Sequence, residues 1–170
     1  MTNSNATQTA LIYRPCAGIM LANKAGKIFV GHRNDDPGSQ AWQMPQGGID
    51  EGEDPEIAAL RELGEETGVI ADKVEILARS AEEYFYDLPE ELIGKVLGGQ
   101  FRGQRQWWFL MRFLGEDSDI NIATAVPEFS AWQWADADSI VDLIVPFKRK
   151  LYRDVLEEFR LLLRTLSYVL

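Results

Sequence analysis

The most constraining feature of this chain is one acidic segment, GGIDEGEDPEIAALRELGEETGV, which runs from residue 47 to residue 69. Asp54 is a good N-cap, and Pro55 suits the first helical position, where a missing N–H does no harm. Gly68 can adopt the left-handed conformation that ends a helix. The segment therefore predicts a helix that begins at Pro55 and ends just before Gly68.

This predicted helix gathers carboxylates on one face. Glu62, Glu65 and Glu66 are spaced i, i+3 and i+4, and side chains at that spacing share a face. The opposite face is expected to meet a hydrophobic core and carries Ile57, Leu60 and Leu63. The helix would thus bury one side and hold its carboxylates over a cleft.

Three neighbouring carboxylates repel one another unless a positive charge lies among them. Oxygen ligands suit Mg²⁺ or Mn²⁺ better than zinc. The single histidine, His32, and the single cysteine, Cys16, cannot build a zinc site. The alternative is a solvated acidic face, which is the usual interpretation of a glutamate-rich helix. The residues that flank this helix favour the metal site.

Those flanking residues complete the pattern G-x5-E-x7-R-E-U-x-E-E-x-G-U, in which U is a bulky aliphatic residue. The matching positions are Gly47, Glu53, Arg61, Glu62, Leu63, Glu65, Glu66, Gly68 and Val69. A pattern with this many restricted positions at fixed spacing seldom arises by chance. It matches the Nudix box, called the box below, and the chain is identified as a member of the Nudix hydrolases. The resemblance implies an Mg²⁺-dependent hydrolase that acts on a nucleoside diphosphate linked to another group.

The order of predicted elements fits the same family. Strands are predicted at 11–23, 27–33, 42–44, 74–78, 82–86, 105–114 and 129–134, a short helix at 136–143, and an amphipathic helix from Phe147 onward. The segment 88–99 is ambiguous between a short helix and an irregular excursion. We predict an α/β (mixed α+β) fold with a mixed β-sheet sandwiched between helices, which is also the Nudix fold.

Composition bounds the remaining possibilities. A chain of 170 residues with 46% hydrophobic residues suits one domain, expected over 11–168. The polar, uncharged residues 1–10 are expected to form a disordered lead rather than a secretion signal. A net charge of −10 argues against DNA groove binding through a broad basic surface, and no apolar stretch is long enough for a membrane helix. The single cysteine fits a reducing compartment, so a cytoplasmic enzyme is expected.

Resemblance beyond the box extends from Tyr13 to about Phe159. It rests on YRP, AWQMPQGGIDEGEDP, GQRQWWF, INI, PEFSAWQW and VPFKRKLYRDV. Together these segments resemble the bacterial RNA pyrophosphohydrolases, close relatives of the asymmetrically cleaving diadenosine tetraphosphate hydrolases. The chain departs from the subgroup at Trp107, where a lysine is common, and in the variable segment between Tyr86 and Gly103.

The resemblance also assigns catalytic roles. Glu62, Glu65 and Glu66 are the expected metal ligands, and either Glu62 or Glu66 could accept the proton of the attacking water. Arg61 is expected to orient an acidic neighbour, Glu53, by a charge-assisted hydrogen bond. Glu128 would approach the metals from another loop, as a ligand or as the base.

Substrate-binding residues are expected on both sides of the box. Gly47 and Gly48 would adopt backbone shapes closed to other residues and so bring main-chain groups to phosphate, and Gln46 would point into the same cleft. The expected phosphate contacts are Arg14, Arg33, Arg105 and Lys148. Phe147 is a candidate stacking platform for a base, with the Arg33 guanidinium as a second wall; the alternative is that Phe147 is a core residue.

Four functions remain open from the sequence. The leading hypothesis is removal of pyrophosphate from 5′-triphosphorylated RNA, which leaves a 5′-monophosphate and initiates decay. The second is cleavage of a dinucleoside polyphosphate. A non-catalytic nucleotide sensor would usually lack some of the box carboxylates, all of which are present. A hydrolase of damaged nucleotides or sugar nucleotides fits the positions of Arg14, Arg33 and Phe147 less well. The sequence does not name a protein partner.

Overall fold

A computed structural model describes residues 11–34 and 41–166 of the chain. The expected disordered lead at residues 1–10 lies outside these residues. Within the described ranges, no helix is long and apolar enough to cross a membrane.

One mixed sheet forms the centre of the fold. Its strands are β1 (Ile12–Ala22), β2 (Ile28–Arg33), β3 (Trp42–Gln43), β4 (Gln46–Gly48), β5 (Val74–Arg79), β6 (Tyr84–Asp87), β7 (Phe101–Phe113) and β8 (Phe129–Ala135). The main path runs β3-β2-β1-β7-β5, while β4 pairs with β1, β6 with β7, and β8 with β2. Only the β1–β7 pairing is parallel among those described, with Cys16 opposite Gln106. This confirms the predicted mixed sheet.

The hairpin between β1 and β2 is set by its turn. Ala22 pairs with Ile28, and the side-chain oxygen of Asn23 accepts hydrogen bonds from the backbone N–H groups of Ala25 and Lys27, both at 3.0 Å. Gly26 has a φ of 75°, which a glycine adopts without steric cost. Polar turn residues between two apolar runs therefore explain why the predicted hairpin forms here.

Alternation along the strands gives the sheet two buried faces. Trp107 and Trp108 point to opposite faces, as predicted, because successive strand residues alternate. One face, which includes Met20 and Trp108, packs against the C-terminal helix α3 (Arg149–Leu166). The other face, which includes Ile19, packs against α1 (Pro55–Thr67). The sheet is thus sandwiched between helices.

Helix α1 begins and ends where the sequence predicts, but it buries a different stripe. The Asp54 carboxylate accepts a hydrogen bond from the Glu56 N–H at 2.8 Å, and Gly68 has a φ of 72°. Ile57 was expected in the core and is instead 57% exposed. The buried stripe consists of Ala58, Ala59, Leu63, Glu66 and Thr67. Small alanines allow the helix to approach the sheet closely, so the buried face and the acidic face overlap.

Helix α3 is amphipathic, as predicted, but its buried stripe differs from the predicted one at one residue. Its buried stripe contains Leu151, Val155, Phe159, Leu163 and Leu166, whereas Leu162, expected to be buried, is 40% exposed. Burial of a side chain such as Val155 or Phe159 contributes roughly 1.5–3 kcal/mol. A short helix α2 (Ile140–Leu143) precedes α3.

The ambiguous segment before β7 is irregular. It forms two short 3-10 turns, at Glu90–Leu92 and Leu97–Gly99, and β7 begins at Phe101 rather than at Arg105. Leu97 has a φ of 52° and is the only non-glycine residue with positive φ among those described. Leu92 and Leu97 of this segment pack against the core cluster that contains the buried residues of α3.

Candidate active site

Arg61 donates hydrogen bonds to several carboxylates, both on α1 and in the loop before it. Its Nε and Nη2 donate to the two carboxylate oxygens of Glu53 at 2.9 and 2.8 Å, and Nη2 also donates to the Gly48 carbonyl at 2.9 Å. Its Nη1 donates to Glu62 at 2.9 Å and to Glu65 at 3.3 Å. One guanidinium therefore holds three negative groups against the backbone of β4.

The Arg61 guanidinium favours the ionised form of both Glu53 and Glu62, but the pKa values of these two carboxyl groups shift in opposite directions. Its hydrogen bonds, with a further one from the Asp50 N–H at 3.0 Å, lower the pKa of Glu53 to about 2. Glu62 also bonds to Arg61, but burial outweighs that effect and raises the pKa of Glu62. The pKa of Arg61 itself is raised, chiefly by its hydrogen bonds to Glu53.

Glu66 is the most buried carboxylate of the site, with 4% exposure. Burial raises its pKa well above the ordinary range, and the nearby charges of Glu62 and Glu128 raise it further. Among the described residues its carboxylate accepts one hydrogen bond, a long one of 3.3 Å from the Gln46 N–H. A buried carboxylate with so few donors is a group that a cation would stabilise.

Gly47 and Gly48 serve the site through their lack of a side chain. Sequence reasoning expected unusual backbone shapes, but neither glycine has positive φ, and both lie in strand β4. A Cβ atom on Gly47 would lie inside the Glu62 carboxylate, and one on Gly48 would lie 2.5 Å from Nη2 of Arg14. These glycines let Glu62 and Arg14 cross the strand on its two faces.

Glu128 lies near the α1 carboxylates although it comes from a distant segment of the chain. It precedes β8, which pairs with β2 so that Phe129 lies opposite Arg33. Its carbonyl accepts a hydrogen bond from the Asn34 N–H at 2.9 Å, which fixes the backbone there. Glu128 thus lies close enough to Glu66 to influence its charge.

The carboxylate cluster, defined as Glu62, Glu65, Glu66 and Glu128, fits an open divalent-cation site. In the part of the chain that the structure describes, no three His, Cys, Asp or Glu side chains are arranged closely enough to hold a metal ion alone. Mg²⁺ is commonly bound by one or two carboxylates together with waters and substrate phosphates rather than by a closed protein cage. The donor chemistry and the poorly solvated Glu66 agree with such a site, and the cluster would supply its protein ligands.

A cleft of about 720 Å³ opens beside the cluster. Its polar lining contains most of the residues predicted from sequence, which are Arg14, Arg33, Gln46, Gly47, Gly48, Glu62, Glu65, Glu66, Glu128 and Lys148. Its apolar lining is formed by Tyr86, Leu88, Leu92, Val96, Leu97, Val145 and Phe147. The cleft lining therefore combines cationic, carboxylate and apolar side chains.

Arg105 is the predicted substrate residue that the structure does not bring to this cleft. Its Nη1 lies 3.3 Å from both carboxylate oxygens of Glu83, with which it forms an ion pair. On β7 its neighbours Gln104 and Gln106 point to the face that carries the cleft, so alternation turns Arg105 away. The correction follows from strand geometry alone.

Phe147 and Lys148 lie in a 3-10 turn immediately before α3. The Phe147 ring is half-buried and packs 5.9 Å from the Tyr86 ring at an interplanar angle of 50°. The Lys148 ammonium lies 5.2 Å from the centre of the Tyr86 ring. Phe147 is thus a packing residue that also lines the cleft, and its stacking on a base stays a prediction.

Sequence reasoning missed several residues of the cleft. Gln43 and Gln104 are buried polar residues in its lining, and segment 88–99 supplies Leu92, Val96 and Leu97. The alternation in QRQWW, which places Gln104, Gln106 and Trp108 on one face of a strand, was a signal that could have identified a buried polar row.

Comparison with known proteins identifies the family of this chain. The model of the NUDIX domain family matches residues 12–155, and the chain belongs to the Nudix family. Within that family it is similar to the RNA pyrophosphohydrolase of Sphingopyxis alaskensis, with 68% identity over 149 residues that cover 88% of this chain and 94% of that protein.

Two solved structures show the same fold. The E. coli dihydroneopterin triphosphate pyrophosphohydrolase has a TM-score of 0.66 at 21% identity and covers 84% of this chain and 96% of its own. The C. elegans Ap4A hydrolase in a binary complex has a TM-score of 0.60 at 17% identity and covers 85% of this chain and 98% of its own. At these identities the likeness concerns the fold alone.

Proposed function

We propose that this protein removes pyrophosphate from the end of 5′-triphosphorylated RNA, leaving a 5′-monophosphate that initiates decay of the transcript. The observation that carries the proposal is the 68% identity to a protein named RNA pyrophosphohydrolase over nearly the whole of both chains. The complete box on α1 and the cleft beside it supply the chemistry. The cytoplasm is the proposed site of action because a single cysteine suits a reducing compartment.

Nudix hydrolases generally use divalent metal ions, and Mg²⁺, with Mn²⁺ as a substitute, is the proposed cofactor here. Glu62, Glu65, Glu66 and Glu128 would hold it. When bound, such an ion supplies a nucleophilic water and neutralises charge on the phosphates. Arg61 hydrogen-bonds Glu53, Glu62 and Glu65 and so orients these carboxylates beside the site.

The other residues of the cleft bind and orient the substrate. Arg14 and Arg33 can each donate two parallel hydrogen bonds to phosphate oxygens, and Lys148 adds a point charge. Phe147 offers a ring face to a base of the RNA. A carboxylate of the cluster accepts the proton of the attacking water, and Glu62 and Glu66 are the two candidates for that role.

The decisive experiment compares substrates. Purified protein with Mg²⁺ is offered 5′-triphosphorylated RNA, diadenosine tetraphosphate and ADP-ribose, and kcat/KM is measured for each. The proposal expects a preference for RNA of at least about a hundredfold. Equal or better turnover of the dinucleotide would replace it with a dinucleoside polyphosphate hydrolase. Absence of turnover of all three would favour a nucleotide-sensing domain.

A further inference from the structure

Four buried or half-buried side chains form a continuous polar row beneath the cleft. Gln104, Gln106 and Trp108 alternate along β7 and therefore share one face of the sheet. Both glutamines are 2% exposed and Trp108 is fully buried. Gln46 reaches the same row from β4. Burial of an amide without a hydrogen bond costs free energy, so the hydrogen bonds of these groups determine how their amides are oriented.

The Trp108 indole fixes the orientation of the first amide. An indole N–H can only donate, and it lies 2.8 Å from Oε1 of Gln106. The carbonyl oxygen of Gln106 must therefore face Trp108, and its NH₂ group must face the other way. This NH₂ group lies 2.7 Å from Oε1 of Gln104 and 3.3 Å from Oε1 of Gln46. Two N–H donors thus meet two acceptors.

The orientation of the Gln106 amide also determines how the amides of Gln46 and Gln104 are oriented. Because the carbonyl oxygens of Gln46 and Gln104 face Gln106, their NH₂ groups lie on the opposite side of each planar amide. Both residues line the cleft. Neither NH₂ group donates to another side chain or carbonyl in residues 11–34 and 41–166. Two amide donors are therefore left on the side away from Gln106, in residues that line the cleft, and phosphate oxygens are acceptors.

The indole is itself held in one position. Its ring crosses β1 above Gly18, where an added Cβ would lie 2.6 Å from the ring. The Tyr152 ring packs edge-on against it at 5.8 Å and 81°. The Trp108 backbone N–H donates to the Ser80 hydroxyl at 3.1 Å. A rigid donor at the centre of the core can impose a direction on flexible amides.

We propose that Trp108 and Gln106 are positioning residues, which lock the amides of Gln46 and Gln104 with their donors toward the polyphosphate of the substrate. The part that concerns RNA rests on the proposed function. The same donors serve any linear polyphosphate, so inorganic tripolyphosphate tests the arrangement independently of turnover.

The test uses two variants and one matched control. Trp108→Phe removes the indole N–H and keeps an aromatic ring, and Gln106→Leu removes the amide that transmits the orientation. Trp134→Phe is the control, since that indole donates to Asp117 at 2.9 Å and lies outside the cleft lining. Measurements are the Kd for tripolyphosphate with Mg²⁺ by calorimetry, KM and kcat for 5′-triphosphorylated RNA, and the melting temperature.

The proposal expects Kd and KM to rise about tenfold in Trp108→Phe and in Gln106→Leu, with kcat changed far less. The double variant should be no worse than the more affected single variant, because both act through one chain of bonds. The control should bind like the wild type.

An unchanged Kd in a folded Trp108→Phe variant would overturn the proposal, as would a fall in kcat at constant KM or additive effects in the double variant. If Trp108→Phe does not fold, Gln106→Leu decides by the same criteria. A wild-type protein that binds tripolyphosphate, loses that binding in the variants, yet hydrolyses no RNA would support the positioning role and reject the proposed function.

Discussion

The Glu53 carboxylate accepts two parallel hydrogen bonds from the Arg61 guanidinium, at 2.9 Å from Nε and 2.8 Å from Nη2. This fork-to-fork pairing is the strongest kind of side-chain hydrogen bonding. It ties the loop before α1 to the helix that carries the carboxylate cluster. Changes at Glu53 should therefore be felt in stability as well as in activity.

Glu53→Gln is expected to lower the free energy of unfolding in a pH-dependent way. The folded pKa of Glu53, about 2, lies below its ordinary value of 4.5, so the ionised carboxylate stabilises the fold above pH 4.5. That contribution is lost as the pH falls from 4.5 toward 2. Urea unfolding of both proteins across this range should show a difference that is constant at neutral pH and shrinks in acid. A constant difference at every pH would contradict the assignment.

Glu65→Gln is expected to reduce metal-dependent turnover by at least about a hundredfold while the melting temperature stays near that of the wild type. Glu65 is 58% exposed and contributes little to packing, so its loss should affect cation binding rather than the fold. Glu75→Gln, on β5 and outside the cleft, is the control. Retained activity in Glu65→Gln would show that the catalytic centre lies elsewhere.

Gly47→Ala and Gly52→Ala should separate activity from stability. The new methyl group at position 47 would displace the Glu62 carboxylate, so kcat should fall by about tenfold or more. At position 52 nothing lies within 4 Å, but the φ of 76° costs an alanine about 1–2 kcal/mol. Steady-state kinetics and denaturant unfolding should thus give opposite rankings for the two variants. Equal losses of activity would argue against the close approach at Gly47.

Phe147→Ala is expected to weaken RNA binding about five- to a hundredfold, as loss of one stacked base would, and to leave the Kd for inorganic tripolyphosphate nearly unchanged. Phe85→Ala provides the control, because Phe85 is an exposed ring outside the cleft lining. Both ligands can be measured by calorimetry. An equal loss for RNA and tripolyphosphate would indicate that Phe147 only packs against Tyr86.

Cys16 should resist thiol reagents in the native protein. Burial raises the pKa of its thiol to about 12, so almost no thiolate exists at pH 8. Ellman's reagent at that pH should react slowly with the folded protein and stoichiometrically after unfolding in urea. Rapid reaction without denaturant would mean that β1 opens readily beside the cleft.

The sequence predicted much of this architecture because local signals agreed with tertiary ones. Asp54, Pro55 and Gly68 define the helix ends by their own chemistry, and the box fixed the relation between Arg61 and Glu53. Ile57 was misplaced because helical periodicity cannot say which of two overlapping faces meets a sheet. Arg105 was assigned to the cleft because of its charge, without regard to the alternation of side chains along its strand.

Other features could not be read from the chain at all. The need for glycine at positions 47 and 48 depends on Glu62 and Arg14 crossing β4, which is a contact between distant segments. The row of amides beneath the cleft depends likewise on the pairing of β4, β1 and β7. Such relationships arise only when the strands pair, so the order of residues gives little indication of them.

On α1, Glu66 and Leu63 belong to one buried stripe. Packing and chemistry therefore share one face of this helix, while Glu56 and Ile57 lie on its exposed side. A substitution that tilts Ala58 or Leu63 by a fraction of an ångström also re-aims a carboxylate, so selection for catalysis and selection for folding act on the same few atoms. Changes on α1 that spare both folding and chemistry should accordingly be confined to exposed positions such as Glu56 and Ile57.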